Sequence, residues 1–310
     1  MQPLGQHFLI SGNVLDRIIG AADLSASDTV LEIGPGRGVL TNALAARAGR
    51  VIAVEKDLEL TQALRDALGD RSNVEVIGGD VRDVLRELAH PDSGFANRNV
   101  SDFSRLRSAP WKVVANIPYY LTSRLIRQLL ELPNPPELIV LMVQREVAER
   151  IVARPPQMNL LGLSVQYLGE PRIVAIVPPG AFKPPPTVES AVIRIVPHKK
   201  RKTPVTDAAV AAPDRTHGDG RAMTDEHAAF FALARAGFSQ KRKTIANNLA
   251  AGLRLAKEEA VALVARAAIE PGRRAQTLSV DEWRKLTNEY KKTYNIDTPR
   301  DRGVSRGNQK

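Results

Sequence analysis

Short apolar runs alternate with segments of helical periodicity through the first half of the chain. Five runs have the length of buried strands: Thr29–Ile33, Arg50–Val54, Val74–Ile77, Lys112–Ala115 and Leu138–Val143. Apolar positions at helical spacing precede the first run at residues 12–22 and follow later runs in a helix to about Ala48 and at 57–68 and 122–132. Alternation of this kind, with short and mainly apolar strands, predicts a parallel sheet covered by helices on both faces.

Two further strand-like runs follow, at 172–177 and 189–196. They are separated only by the proline-rich stretch Pro178–Pro186, which is too short for a crossover helix. This connection favours an antiparallel pair that closes one edge of the sheet. The expected fold class is therefore α/β with a Rossmann-like sheet, and residues 90–110, which show neither periodicity, are interpreted as an inserted loop.

Helical patterns return near the C-terminus, at 225–236, 241–251, 256–266 and 279–291. They predict a small all-α unit. The predicted organisation is a catalytic domain over 1–198, a flexible basic linker over 199–222, a helical domain over 223–292 and a disordered basic tail over 293–310.

The charge of the chain is concentrated in its C-terminal third. The net charge is +10, yet residues 1–198 contain 21 basic and 21 acidic side chains, whereas residues 199–310 contain 23 and 13. A neutral body joined to a basic region suggests a phosphate-rich partner such as nucleic acid, bound by the second part. A basic, solvated tail without a specific partner is the alternative.

Composition excludes several kinds of site. Because the chain has no cysteine, disulfides, thiolate nucleophiles and Cys-ligated zinc are excluded. The five histidines show no metal-ligand spacing, so no metal is expected. Residues 1–9 do not resemble a signal peptide, and the apolar runs are shorter than the ~18–20 residues that cross a bilayer. A cytoplasmic protein that does not bind membranes is therefore expected. The protein is also expected to be a monomer.

A glycine-rich turn follows the first predicted strand. Glu32 precedes Gly34, Gly36 and Gly38, and this spacing differs from the Gly-x-Gly-x-x-Gly of dinucleotide-binding enzymes. Pyrophosphate favours a helix N-terminus without a nearby anion, whereas an acid beside the turn suits a cation. S-adenosylmethionine carries an ammonium and a sulfonium and no phosphate, so the pattern indicates this cofactor. A turn that needs glycine for packing alone is the alternative.

Two acids come at the ends of the next two predicted strands. Glu55 is placed to accept both ribose hydroxyls, and Asp80 is placed to accept from an adenine amino group. Each acid alone is more often a solvated loop residue. Three such sites after three successive strands nevertheless point to an adenosine-containing cofactor at the carboxyl edge of the sheet.

The segment Asn116-Ile117-Pro118-Tyr119 follows the fourth predicted strand and contains the expected catalytic residues. An exocyclic adenine amine is a weak nucleophile because its lone pair is delocalised into the ring. Asn116 Oδ1 and the Ile117 carbonyl can accept its two N–H bonds, Pro118 stiffens the turn, and Tyr119 offers a stacking face. Phe182 is a candidate second stacking surface, with a core-facing aromatic as the alternative. An ordinary Asn-x-Pro turn is the competing interpretation of the tetrapeptide.

Together these motifs resemble the KsgA-type ribosomal RNA adenine dimethyltransferase family over most of the chain. The matching segments are Gly5-Gln6-His7-Phe8-Leu9, Glu32–Gly38, Glu55, Asp80, Asn116–Tyr119 and Phe182–Ser190. The resemblance implies a class I S-adenosylmethionine-dependent methyltransferase, in which His7 and Leu9 wrap the cofactor. His7 stands where the family usually has Asn.

The C-terminal motifs separate this family from its relatives. Gly237–Thr244, Asn247-Asn248-Leu249 and Arg274–Ser279 resemble the KsgA type rather than the sister enzymes that modify 23S RNA. The resemblance implies dimethylation of two adjacent adenosines near the 3′ end of 16S rRNA, within an assembling 30S subunit. Lys241, Arg242 and Lys243 begin a predicted helix and are expected to contact phosphates, or else form an exposed charged turn. A 23S RNA methyltransferase, a non-catalytic assembly factor and a nicotinamide-dependent oxidoreductase are the alternatives.

Overall fold

A computed structural model of the protein describes residues 7–69, 71–90, 103–117, 121–198 and 226–296. These residues form two compact units, one built from 7–153 and 161–198 and the other from 154–160 and 226–296. The helices of the first unit are α1 Gly12–Ala22, α2 Val39–Ala45, α3 Leu58–Leu68, α4 Val81–Ala89, α5 Ser104–Ser108, α6 Thr122–Glu131, α7 Arg145–Val152 and α8 Leu160–Leu168. Its strands are β1 Phe8–Leu9, β2 Thr29–Ile33, β3 Arg50–Glu55, β4 Val74–Gly78, β5 Lys112–Asn116, β6 Leu138–Gln144, β7 Gly169–Val177, β8 Phe182–Lys183 and β9 Ser190–Pro197.

The main sheet has seven strands in the order β4-β3-β2-β5-β6-β9-β7. The first five strands in this order, from β4 through β3, β2 and β5 to β6, are parallel to one another. Strand β9 pairs antiparallel with both β6 and β7. The predicted α/β class and the antiparallel edge are thereby confirmed. Every residue of β2 is buried, as expected of a central strand with helices on both faces.

The order of strands reverses between β2 and β5. From β2 the chain proceeds to β3 and β4 on one side, whereas β5 and β6 lie on the other. Ile33 is level with Val54 of β3 and with Ala115 of β5, so these three strands end side by side. Ligands of open α/β sheets bind at such a switch point, beyond the carboxyl ends of the strands.

A second, two-stranded sheet joins segments that are far apart in the chain. Strand β1 pairs antiparallel with β8, with Phe8 opposite Lys183 and Leu9 opposite Phe182. The Ile10 N–H extends the ladder by donating to the Ala181 carbonyl at 2.8 Å. The sequence patterns predict neither strand, since Phe8–Leu9 belong to the N-terminal motif of the family and Phe182–Lys183 to the proline-rich stretch.

Four helices of the first unit were absent from the sequence predictions. Helix α4 follows β4, α7 follows β6, and α8 begins at Leu160. Helix α5 lies inside residues 90–110, the segment interpreted as a loop. That interpretation is wrong for Ser104–Ser108, where the buried Leu106 gives the short helix a core contact. Residues 91–102 of the segment lie outside the described residues.

The described part of the second unit contains α9 Glu226–Gly237, α10 Ile245–Leu253, α11 Lys257–Arg266 and α12 Val280–Tyr294. They correspond to the helical segments expected from the sequence, with one shifted start. Helix α10 begins at Ile245, after the N-cap Thr244 whose hydroxyl accepts from the Asn247 N–H. Lys241, Arg242 and Lys243 therefore lie in the preceding turn and do not begin the helix, because the side chain that caps it is that of Thr244.

Segment 154–160 joins the second unit, although the sequence analysis placed it in the first. The Met158 N–H donates to the Gln276 carbonyl at 3.0 Å, and the Met158 side chain is buried. The predicted linker over 199–222 and nearly all of the tail after 293 lie outside the described residues. Among the helices that the structure does describe, none is long and apolar enough to cross a membrane.

Candidate active site

A cavity of about 110 Å³ lies at the switch point of the main sheet. Residues that follow β2, β3 and β5 form its floor, and strand β1 forms a wall. The lining consists of His7, Phe8, Leu9, Glu32, Gly34, Pro35, Gly36, Arg37, Val39, Leu40, Glu55, Asn116 and Ile117. The structure thus brings together most of the cofactor-binding residues predicted from the sequence.

The turn after β2 requires glycine at three positions. Gly34, Gly36 and Gly38 have φ of 68°, 56° and 78°, in the region that side chains other than glycine rarely adopt. A Cβ at Gly36 would come within 3.1 Å of the Phe8 ring, so the absence of a side chain also lets β1 approach. Gly34 and Gly36 line the cavity, whereas Gly38, the N-cap of α2, is buried and is not among the lining residues.

Glu55 is the last residue of β3 and is buried. Its Oε2 accepts the Gly36 N–H at 3.1 Å, and its Oε1 accepts the Asp57 N–H at 3.0 Å. These two bonds fix the carboxylate against the glycine turn. Because each carboxylate oxygen can accept more than one hydrogen bond, capacity for two hydroxyl donors remains.

Glu32 is almost fully buried, and its Oε2 has no hydrogen-bond donor among the described residues. Burial raises the pKa of this carboxyl to about 8; the nearby Thr41 hydroxyl opposes the rise, and the negative charge of Glu55 adds to it. An orphaned carboxylate oxygen in a cavity favours a cationic ligand, since an ammonium would satisfy the oxygen and stabilise its charge. The site therefore fits the ammonium group of S-adenosylmethionine.

Asn116 ends β5 and lies at the cavity wall. Its Nδ2 donates to the His7 carbonyl at 3.3 Å. A carbonyl can only accept, so this contact identifies the amide nitrogen and turns Oδ1 to the other side as an acceptor. Ile117 follows, with a buried side chain. Pro118 and Tyr119 lie outside the described residues.

Asp80 is not among the residues that line the cavity. It caps helix α4, and its carboxylate accepts from the Arg82 N–H at 3.0 Å and from the guanidinium at 2.9 and 2.5 Å. Lys56 lies 3.5 Å away. Hydrogen bonds from Arg82 hold the pKa of Asp80 far below its ordinary value, against the opposing effect of burial. The carboxylate is therefore ionised and engaged, and its predicted contact with adenine stays a prediction.

Several lining residues escaped the sequence analysis. Phe8 lies beneath the guanidinium of Arg37, whose carbon is 4.5 Å from the ring centroid, an arrangement typical of a cation–π contact. Val39 and Leu40 add apolar surface from the start of α2. Phe8 lies between the two residues assigned from the resemblance, so its place in that motif was the available signal.

Phe182 is 3 % exposed and belongs to the same hydrophobic cluster as Leu9, Val14 and Ala181. The ring therefore packs in the core, which corresponds to the alternative weighed for it. In this arrangement Phe182 offers almost no surface to a base, and it anchors the proline-rich stretch instead.

The remaining predicted residues are exposed. Lys241, Arg242 and Lys243 are accessible in the turn before α10, which leaves them available to a phosphate backbone. Within the described parts of the chain, no group of three or more acidic or histidine side chains is arranged to hold a metal ion.

Comparison with known proteins identifies the family. The model of a family described as ribosomal RNA adenine dimethylase matches residues 2–210. The chain belongs to this family. A ribosomal RNA small subunit methyltransferase A from Dehalococcoides mccartyi is 45 % identical over 287 residues, covering 93 % of this chain and 87 % of the relative. A protein of the same name from Pelotomaculum thermopropionicum is 40 % identical, with coverage of 93 % and 90 %.

Two solved structures share the fold over nearly the whole chain. A dimethyladenosine transferase from Plasmodium falciparum has a TM-score of 0.69 at 24 % identity, covering 93 % of this chain and 98 % of that one. The 23S rRNA methyltransferase ErmE has a TM-score of 0.63 at 26 % identity, covering 91 % and 98 %. The architecture is that of a class I methyltransferase with a C-terminal helical region.

Family membership confirms the central expectations from the sequence. The protein is an S-adenosylmethionine-dependent methyltransferase that acts on adenine in ribosomal RNA. The more similar relatives are named as small-subunit enzymes, so the 23S RNA alternative is not favoured.

Proposed function

We propose that this protein transfers two methyl groups to N6 of each of two adjacent adenosines near the 3′ end of 16S rRNA, within an assembling 30S subunit. One observation carries the proposal. The cavity combines the buried carboxyl group of Glu32, one oxygen of which lacks a donor, with an amide acceptor, Asn116, at the same carboxyl edge of the sheet.

The cavity residues have distinct roles toward the cofactor. Glu32 would receive the ammonium group, and Glu55 the two ribose hydroxyls. Asp80 would accept from the adenine amine with lone pairs that Arg82 does not use. The glycine turn allows close approach of the main chain, and His7 and Leu9 close the cavity from β1, as the family resemblance implies. When bound, S-adenosylmethionine supplies a methyl group already activated by its sulfonium.

Asn116 and Ile117 would prepare the acceptor. Oδ1 of Asn116 and the carbonyl of Ile117 accept the two N–H bonds of adenine N6, which favours a tetrahedral nitrogen and frees its lone pair. The Asn116 Oδ1 acceptor is held in place before the base arrives, because Nδ2 of the same amide is already bonded to the His7 carbonyl. Fixed dipoles of this kind stabilise the positive charge that develops on the nitrogen during transfer.

The turn after Ile117 would hold the base. Pro118 restricts the backbone beside the second acceptor, and Tyr119 offers an aromatic face on which adenine can stack. Such stacking is worth ~1–3 kcal/mol per base. It would compensate the cost of extruding an adenosine from the RNA.

The C-terminal part would bind the RNA. We propose that residues 223–292 act as a helical RNA-binding domain joined through a basic linker, 199–222, and followed by a basic tail, 293–310. Lys241, Arg242 and Lys243 would contact phosphates, which strengthens binding without selecting the base. The protein would act in the cytoplasm as a monomer.

The target is tested by offering unmethylated 30S and 50S particles separately with labelled S-adenosylmethionine. We expect label in 16S rRNA only, recovered as N6,N6-dimethyladenosine by nucleoside mass spectrometry. Label confined to 23S rRNA would contradict the proposed target. Particles that bind the wild-type protein and acquire no label would favour the non-catalytic assembly factor instead.

A further inference from the structure

His7 contacts three parts of the site at once. The residue lines the cofactor cavity. Its carbonyl accepts from Asn116, the proposed acceptor-binding residue, at 3.3 Å. Its Nδ1 lies 2.9 Å from the Pro184 carbonyl. Because that carbonyl can only accept, Nδ1 is the protonated nitrogen of the ring and acts as the donor.

The Pro184 contact reaches the stretch Pro178–Pro186, here called the proline loop. This loop is also held to residues 7–10 by the β1–β8 pairing and by the Ile10 N–H bond to Ala181. In the middle of the loop, Phe182 is anchored in the core, whereas Lys183, Pro184 and Pro185 are exposed. The imidazole is thus the side-chain link between the cofactor wall and the exposed end of the loop.

Residues 7–9 are equally tied to the cofactor side. Phe8 packs against Gly36 of the glycine turn and beneath Arg37. A ligand that contacts the cavity wall would therefore contact β1. Strand β1 is in turn hydrogen-bonded to β8 in the proline loop. Energetic coupling between two sites can be carried by packed side chains and hydrogen bonds that connect them, and β1 with β8 forms such a connection.

We propose that His7 is a positioning residue that couples cofactor binding to the placement of the proline loop, through an imidazole that donates to Pro184 and a main-chain carbonyl that accepts from Asn116. The inference rests on the proposed function, since the acceptor site is the one assigned to Asn116. With cofactor in the cavity, β1 is held in place, and the His7–Pro184 hydrogen bond holds the exposed end of the loop. Without the bond, the cofactor still binds and the loop is less ordered.

Two substitutions separate this role from simple packing. In His7→Asn, Nδ2 stands at the same bond distance from Cγ as Nδ1 of histidine, so a donor to the Pro184 carbonyl is kept. In His7→Leu, a methyl group occupies that position and cannot donate. The two variants are close in shape, so any difference between them reports the hydrogen bond.

The test is hydrogen exchange of the full-length protein with and without saturating S-adenosylhomocysteine. We expect the ligand to slow exchange of the non-proline amides at 180–183 about fivefold in the wild type and in His7→Asn, a factor that corresponds to one ordinary hydrogen bond. In His7→Leu we expect the slowing to fall below about twofold. Equal slowing in His7→Leu and the wild type, or no slowing in the wild type, would overturn the proposal.

Steady-state kinetics with unmethylated 30S particles supply a second readout. At saturating S-adenosylmethionine, His7→Leu should raise KM for the particle about fivefold, and His7→Asn should restore it. A change confined to the affinity for S-adenosylhomocysteine, with particle KM unaltered, would show that His7 serves only the cavity wall. Since the exchange experiment contains no RNA, it decides the role of His7 even if 30S particles prove not to be the substrate.

Discussion

Replacing Glu32 by glutamine should make the empty protein more stable at alkaline pH while it weakens cofactor binding. The carboxyl is buried and its pKa is raised to about 8, mainly because burial disfavours the charge. Glutamine has nearly the same shape and never ionises. The substitution therefore removes the cost of a buried charge without opening a cavity.

The sign and size of the effect follow from proton linkage. The ordinary pKa of the carboxyl is 4.5, and its pKa in the folded protein is about 8. At pH values between these two, the folded protein keeps the Glu32 proton and the unfolded chain has lost it. The free energy of unfolding of the wild type consequently falls as pH rises through this window. At ~1.4 kcal/mol per pH unit, the full window corresponds to roughly 5 kcal/mol, an upper bound because water and local relaxation screen the charge. The two proteins should be similar near pH 5 and diverge by pH 8.

The assay is urea denaturation of both proteins at several pH values, since all other titrating groups are shared and cancel in the difference. Glu75→Gln is a suitable control, because that carboxylate forms a partly exposed ion pair with Arg50 and its loss should cost under about 1 kcal/mol. Titration with S-adenosylhomocysteine should show at least a tenfold loss of affinity in Glu32→Gln. A stability difference that does not change with pH would refute the reasoning.

Three further outcomes are expected. Asn116→Ala should lower the rate of methyl transfer about 10²–10³-fold by removing one fixed acceptor, with particle binding retained in a filter assay; full activity would contradict the assigned role. Gly49→Ala should lower the free energy of unfolding by ~2 kcal/mol or more, because the added Cβ would lie 2.2 Å from the Ala26 carbonyl oxygen. Gly20→Ala is the control, because its added Cβ would meet no atom within 4 Å, and it should raise the free energy of unfolding by ~0.5–1 kcal/mol. Replacing Lys241–Lys243 by glutamine should weaken binding to 30S particles and reduce the slope of log K against log salt by up to about 3, and an unchanged slope would exclude phosphate contacts.

The main sheet was predictable because its central strands are buried on both faces. A continuous apolar run bounded by glycine or polar residues marks such a strand to within one or two residues, as at β2 and β6. Helix α4 also carried a signal, because Val81, Val84, Leu85 and Leu88 have helical spacing and Asp80 stands where an N-cap belongs. The sequence analysis assigned Asp80 to a ligand and so overlooked the helix that it caps.

The β1–β8 pair could not be predicted in the same way. Each strand has two residues, too few to show a period of two, and 172 residues separate Leu9 from Phe182. Burial of Leu9 and Phe182 in one cluster favours the pairing, and that burial exists only once the main sheet has formed. The wall of the cavity is therefore a product of tertiary structure, although the motif at its N-terminal end was visible in the sequence.

The acids at the strand ends show why the type of a site residue was easier to predict than its surroundings. A carboxylate directly after a parallel strand faces the ligand edge and also lies beside unpaired N–H groups of the next turn or helix. Glu55 uses both oxygens on the N–H groups of Gly36 and Asp57, and Asp80 accepts from Arg82. Only Glu32, which lies inside β2 where backbone N–H groups are already paired, keeps an oxygen without a donor. The ligand charge should accordingly affect Glu32 most, because its Oε2 gains a first hydrogen-bond donor when a cation enters.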